Sequence, residues 1–303
     1  MYETLWLLVC VFGIIFIRMC LTQGEFGAKV GQTQNQAWRV GIVSRRSLSW
    51  ITDYSCYHVT QRCQERRFLL RFKKDRRQYL QRLREAIEKY PVSVLNYMIT
   101  SNHVHLLVHA GRAAHLSAAM QYVSGCIAQD YNRRKSREGA FWSGRFRPTL
   151  IQPGHHLSRC FFYISLNMLR AAGQVPGEWV GDSHAELTGQ VPGPNSIIDR
   201  EVLFDSLECG SLRCFSAWYG ATLSEELQRG SAVREHFWTE SAAVGDKLWL
   251  DALTGGWPTS WYTIEPSAPV PAGGTAGVSE TSGTYVLRIS DRRREGLLSS
   301  VRQ

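Results

Sequence analysis

Residues 99–111 read ITSNHVHLLVHAG. Val104, Leu106 and Val108 alternate with His103, His105 and His109, which is the period-two pattern of a β-strand with one apolar and one polar face. The His-x-His spacing sets two imidazoles side by side, within reach of one metal ion. His109 lies four strand residues beyond His105, about 13 Å away. That is too far to share an ion bonded at about 2 Å, so a three-histidine zinc centre is set aside.

Outward from this strand the pattern is regular. Upstream, VSVLNYMIT (92–100) reads as a strand joined to it by a Ser-Asn turn. KKDRRQYLQRLREAIEKY (73–90) is a helix with Tyr79, Leu80, Leu83, Ile87 and Tyr90 on one side and Pro91 as its stop. DYSCYHVTQRC (from Asp53) has strand character. Downstream, HLSAAMQYVSGCIAQDYNRRKS (115–136) is an amphipathic helix, and SGRFRPTLIQ (143–152) a fourth strand. The order β-α-β-β-α-β predicts an α+β fold, the ferredoxin-like split arrangement with an antiparallel sheet. Its two helices should cover Val104, Leu106 and Val108, leaving the histidine face for function.

RCFFYISLNMLRAAG (159–173) predicts one further helix ending at Gly173. Apolar side chains occupy most of its circumference. A narrow polar stripe remains, holding Arg159, Tyr163, Asn167 and Arg170, with Tyr163 and Asn167 at i, i+4. A helix buried nearly all round keeps such a stripe where it faces a polar site.

Charge is unevenly spread over the 303 residues. Residues 44–176 hold 22 Lys/Arg against 7 Asp/Glu, whereas residues 177–303 hold 10 against 17. The basic excess coincides with the histidine strand and favours a polyanionic partner. Eight scattered cysteines without a C-x-x-C pair argue against a zinc knuckle or a disulfide framework. The apolar run at 5–17 is short for a membrane span and lacks the positive charge that precedes a signal peptide's core. Residues 1–43 are therefore expected to be an irregular extension outside the fold, an over-long start rather than a membrane segment; a short anchor stays open if Met19, Cys20 and Leu21 are counted with the run. A Gly/Pro-rich stretch at 189–196 is the expected boundary between the basic domain (44–180) and an acidic, mostly helical region (197–255). Residues 265–303 are expected to be a disordered tail.

Two imidazoles, a side-chain amide and a tyrosine within a cationic surround suit phosphodiester chemistry. A divalent ion with open positions acts as a Lewis acid on a phosphate, and tyrosine can serve as a covalent nucleophile. No G-x-x-x-x-G-K-[ST] pattern is present, and such a transfer needs no ATP. ITSNHVHLLV, NRRKSREGAFWSGRFRPTLI and CFFYISLNMLRAAG resemble, in order, the motifs of the HUH single-tyrosine (IS200-like) transposases. Among these they are most similar to the REP-associated tyrosine transposases. The resemblance covers residues 53–176 and departs at Met168, where the family has proline. It implies His103, His105 and Asn167 as ligands of Mg²⁺ or Mn²⁺, Tyr163 as nucleophile, and a 5′-phosphotyrosine intermediate. It further implies single-stranded or palindromic hairpin DNA as substrate and a cytoplasmic, nucleoid-associated protein; monomer and homodimer both stay open. Arg133, Arg134, Arg145, Arg159 and Arg170 are candidate DNA contacts, together with the basic run 62–77. Two alternatives stand beside this reading: a non-catalytic hairpin-binding protein, and a rolling-circle initiator or relaxase of the same HUH chemistry.

Overall fold

A computed structural model describes residues 52–191, 195–229, 234–267 and 283–290, all within one unit, Ser44–Gln303. Its strands are Ser55–Arg62 (β1), Val92–Ile99 (β2), His103–Ala110 (β3), Arg147–Ile151 (β4), Ala243–Gly245 (β5), Tyr262–Pro266 (β6) and Tyr285–Ile289 (β7). The helices are Lys73–Lys89 (α1), Ala113–Arg134 (α2), His155–Ser165 (α3), Asn167–Ala172 (α4), His184–Leu187 (α5), Arg200–Ser206 (α6), Leu212–Arg229 (α7), Phe237–Glu240 (α8) and Lys247–Leu253 (α9). The sheet order is β2-β3-β1-β4-β5-β7-β6. Its first four strands are mutually antiparallel, and with α1 and α2 they form the split β-α-β-β-α-β unit that the sequence pattern predicts.

Strand alternation sorts the two faces of this unit. Tyr57, Val59, Val104, Leu106, Val108 and Leu150 are buried on the side covered by α1 and α2, where Ser124 of α2 donates to Gln61 Oε1 at 2.7 Å. Each large aliphatic side chain buried there contributes about 1.5–3 kcal/mol. Arg82 holds Asp130 at 2.5 Å and Arg134 pairs with Asp75, tying α1 to α2. On the opposite face α3 is clamped to the sheet by Asn96, whose Nδ2 donates to the Phe161 carbonyl and to Ser165 Oγ, each at 2.9 Å. The outer side of α3 is roofed by α7: Phe162 stacks on Tyr219 at 5.8 Å, and Phe161 meets Phe215 edge-on at 6.1 Å. That double cover explains why the helix is apolar nearly all round.

Three expectations are corrected. Residues 159–173 form two helices that meet at Leu166 (φ −90°, ψ 9°), not one. At this break the Arg170 guanidinium donates to the Tyr163 carbonyl, an acceptor that a continuing helix would use for its own ladder. The 189–196 stretch separates no independent unit, because β5 pairs in parallel with β4 and carries β7 and β6 beyond it. For the same reason residues 265–303 are not disordered throughout: Tyr285–Ile289 is a strand whose Val286 and Leu287 are buried. Among the described residues no helix is long and apolar enough to cross a membrane; residues 5–17 lie outside them. None of the six described cysteines forms a disulfide.

Candidate active site

On the α3 face, β1 and β3 align Thr60 with His105 and Arg62 with His103. His58, Thr60 and Arg62 therefore share this face with His103 and His105. The β4–β5 pairing, with the Leu150 N–H on the Ala242 carbonyl at 2.8 Å and Thr149 Oγ1 on the Ser241 carbonyl at 2.9 Å, brings α8 against the same surface. There the main-chain oxygen of Trp238 lies 2.8 Å from His58 Nδ1.

A carbonyl only accepts, so His58 Nδ1 carries a proton. Burial pushes the His58 pKa down to about 4, which keeps the ring neutral and makes Nε2 an acceptor. His58 Nε2 lies 2.8 Å from His105 Nδ1, so His105 donates there. Burial also holds His105 well below the usual imidazole range, with the neighbouring His103 and His58 adding to the effect. Its Nε2 consequently holds a lone pair, and it faces Asn167 Nδ2 at 3.2 Å. His103 reaches the same state by a separate route. Its Nδ1 lies 2.7 Å from Asn102 Oδ1, and burial, followed by Arg62 and Arg234, lowers its pKa to about 3. Both imidazoles thus keep Nε2 unprotonated, the form that binds metal.

The donor set fits a divalent ion. The rings of His103 and His105 lie 4.8 Å apart. Asn167, only 8% exposed, has a buried Oδ1 with no partner. Turning its amide would set that oxygen against the His105 lone pair, a repulsive pairing that a cation between them would relieve. His58 is not a ligand, because both of its nitrogens are engaged. Among the described residues no group of three or more His, Cys, Asp or Glu is arranged to hold a metal, so the set rests on two imidazoles and an amide.

Tyr163 sits edge-on to His58 and His105, at 5.9 and 6.1 Å between ring centroids, with the Arg170 guanidinium 4.2 Å from its own ring centroid. Burial raises its phenol pKa, and Arg170 and Arg234 oppose that shift. Beside these groups opens a cavity of about 240 Å³. His103 and His105 stand in its wall with Arg62, Arg66, Arg145, Arg147 and Arg234. Five arginines against the single carboxylate of Glu240, with two neutral imidazoles, make the cleft anion-attracting. Tyr163, Asn167 and Arg170 are not among its lining residues.

The structure thus gathers His103, His105, Asn167, Tyr163 and Arg170 at one place and puts Arg145 in the cavity. Of the other candidate DNA contacts, Arg159 and Arg170 have partners within the protein. Arg159 bonds Glu235 and Thr284, both at 2.7 Å, and Arg170 donates to the Tyr163 carbonyl. Arg134 is committed to Asp75, while Arg133 remains 80% exposed beside Asp130. The sequence did not single out His58, Arg147, Arg234 or the Trp238 carbonyl as parts of this site, whereas Arg62 and Arg66 belong to the basic run 62–77 expected to contact DNA. The signal for His58 lay in His58, Thr60 and Arg62 alternating with Tyr57, Val59 and Gln61, a polar strand face like that of β3.

Residues 52–165 match the family model described as Transposase IS200 like. The matched segment is similar to an IS200-like transposase domain. It contains both histidines and Tyr163, whereas Asn167, Arg234 and Trp238 lie beyond the matched residues. Among solved structures, the chain is similar to a REP-associated tyrosine transposase bound to a REP hairpin. The identity is 14% and the TM-score 0.41, over 50% of this chain and 89% of that one. No curated protein sequence matches the chain significantly.

Proposed function

We propose that the transposase domain cleaves and rejoins single-stranded or hairpin-forming DNA, with Tyr163 as the nucleophile. The observation that carries this reading is the convergence of His103, His105, Asn167 and Tyr163 beside a cavity walled by five arginines. The arginines hold the phosphodiester backbone by charge. Tyr163 attacks the phosphorus, the bond to the 3′ oxygen breaks, and the released strand keeps a 3′ hydroxyl while its neighbour stays on the enzyme as a 5′-phosphotyrosine. The bond energy is conserved for rejoining, so no ATP is consumed. Mg²⁺ or Mn²⁺ held by His103, His105 and Asn167 would supply Lewis-acid polarisation of the scissile phosphate. Arg170, over the Tyr163 ring, favours the phenolate and orients the side chain.

One observation favours a second reading, that of a hairpin-binding protein without catalysis: Tyr163 is only 6% exposed and stands outside the cavity wall. The experiment that separates the two uses hairpin oligonucleotides with single-stranded flanks, labelled 3′ to the cleavage position, incubated with the full chain and Mn²⁺. A denaturing gel should show label retained on wild-type protein and lost with Tyr163→Phe or with chelator. Tight binding without an adduct across a panel of hairpins supports the second reading instead.

A further inference from the structure

The connection from β1 to α1 carries a feature that strand cleavage does not use. Residues 63–72 leave β1 through a 3-10 turn, Gln64–Arg66, in which Glu65 and Arg66 take left-handed backbone conformations (φ 53° and 57°). Asn102 Nδ2, next to His103, donates to the Arg66 carbonyl at 3.0 Å, and the Arg66 side chain lines the cavity. The connection then anchors itself by burying Leu69 and Leu70, while leaving Phe68 65% and Phe72 52% exposed. Phe72 also occupies the N-cap of α1, where it makes no side-chain cap. Ser, Thr, Asp or Asn would stabilise that position. Two phenylalanines are thus held in water, one of them at a site where its side chain weakens the helix.

Their surroundings are cationic. Arg66, Arg67, Arg71, Lys73, Lys74 and Arg77 lie in the same run. The Arg71 guanidinium and the Lys135 ammonium lie 5.8 and 5.7 Å from the centroid of the Phe72 ring. Exposed aromatic faces interleaved with cations are the combination that binds unpaired nucleotides: charge tracks the backbone and rings stack on bases. The connection begins at the cavity edge through Arg66, so it is continuous with the place where a scissile phosphate would lie.

We propose that Phe68 and Phe72 form a stacking platform for unpaired bases flanking the DNA held in the cavity, with Arg67, Arg71 and Lys135 on their phosphates. The proposal rests on the reading of the cavity as a DNA site. The test measures affinity of the full chain for two probes, a hairpin with single-stranded flanks and the same hairpin without them. Wild type is compared with Phe68→Ala, Phe72→Ala, Phe72→Trp and, as a cavity control, Arg145→Ala.

Each alanine variant should weaken flanked-hairpin binding about tenfold and leave the blunt hairpin unchanged. It should also leave the slope of log Kd against log salt unaltered, because no phosphate contact is lost. Phe72→Trp should bind like wild type, and 5-iodouracil in the flank should crosslink to residues 68–72. If binding depends on Arg145 but ignores Phe68 and Phe72, the platform is overturned while the cavity reading stands. Equal loss on both probes also overturns it. Absence of DNA binding by wild type overturns both.

Discussion

The two faces of one short sheet show how this chain divides its labour. Leu106 and His105 are adjacent on β3 and equally buried, at 0% and 3% exposure. Leu106 joins Val59, Val104 and Leu150 beneath α1 and α2, in a layer whose free energy comes from area removed from water. His105 faces α3 and α4, where each buried polar atom needs a partner. It is held between His58 and Asn167, and His58 in turn is held by a carbonyl from α8. The first face needs only matching volume. The second needs directed hydrogen bonds from four separate segments, which is why a part of the chain beyond the family match is built into it.

The largest break in this comparison is on the apolar side. Leu106→Ala should cost about 2–5 kcal/mol of stability, measured by denaturant unfolding, and the folded fraction should still form the Tyr163 adduct. His105→Ala should do the reverse, abolishing Mn²⁺ binding and adduct formation with a smaller loss of stability. Acid should reveal the cost of neutral buried imidazoles. His156, in α3 and not among the proposed metal ligands, has its pKa lowered to about 4 by burial, with His155 and Arg159 contributing. As pH falls below the ordinary value near 6.5, the unfolded chain takes up a proton that the folded chain refuses. Stability is therefore complete above pH 6.5 and falls by about 1.4 kcal/mol per pH unit toward pH 4 from this group. His156→Leu should flatten the decline by that amount, its Nε2 being buried without a partner.

Smaller effects sharpen the polar side. His58→Phe keeps a ring in the space but removes the acceptor for His105 Nδ1. Mn²⁺ affinity, followed by electron paramagnetic resonance, should drop about 10–100-fold, as for other groups that orient metal-binding histidines. Arg159→Ala breaks a partly exposed pair with Glu235 and the bond to Thr284, and should change stability by about 1 kcal/mol.

The split β-α-β-β-α-β unit was legible because each element repeats its hydrophobic period over several residues. α1 was expected at 73–90 and spans Lys73–Lys89, and β4 was expected at 143–152 and spans Arg147–Ile151. β5 was not legible: Ala243–Gly245 is three residues long and shows no period. β7 follows a Gly/Pro/Ser-rich stretch that masks the alternation of Tyr285–Ile289. The break at Leu166 has no glycine or proline to announce it, since its partner is the side chain of Arg170, four residues on. Of the candidate site, the His-x-His pair and the Tyr163–Asn167 spacing are local patterns and could be read. His58, Arg147 and Arg234 belong to it only through strand register and the β4–β5 pairing, neither of which a linear spacing encodes.

α8, through the Trp238 carbonyl and His58, fixes the protonation of His105 so that Nε2 stays open for a ligand. Long-range ¹⁵N–¹H correlation spectra of the metal-free full chain at neutral pH report it directly. Neutral rings protonated at Nδ1 are expected for both His58 and His105, with the His105 pattern redistributed between tautomers in His58→Phe. A His105 ring protonated at Nε2 in wild type, or one indifferent to His58→Phe, would contradict it.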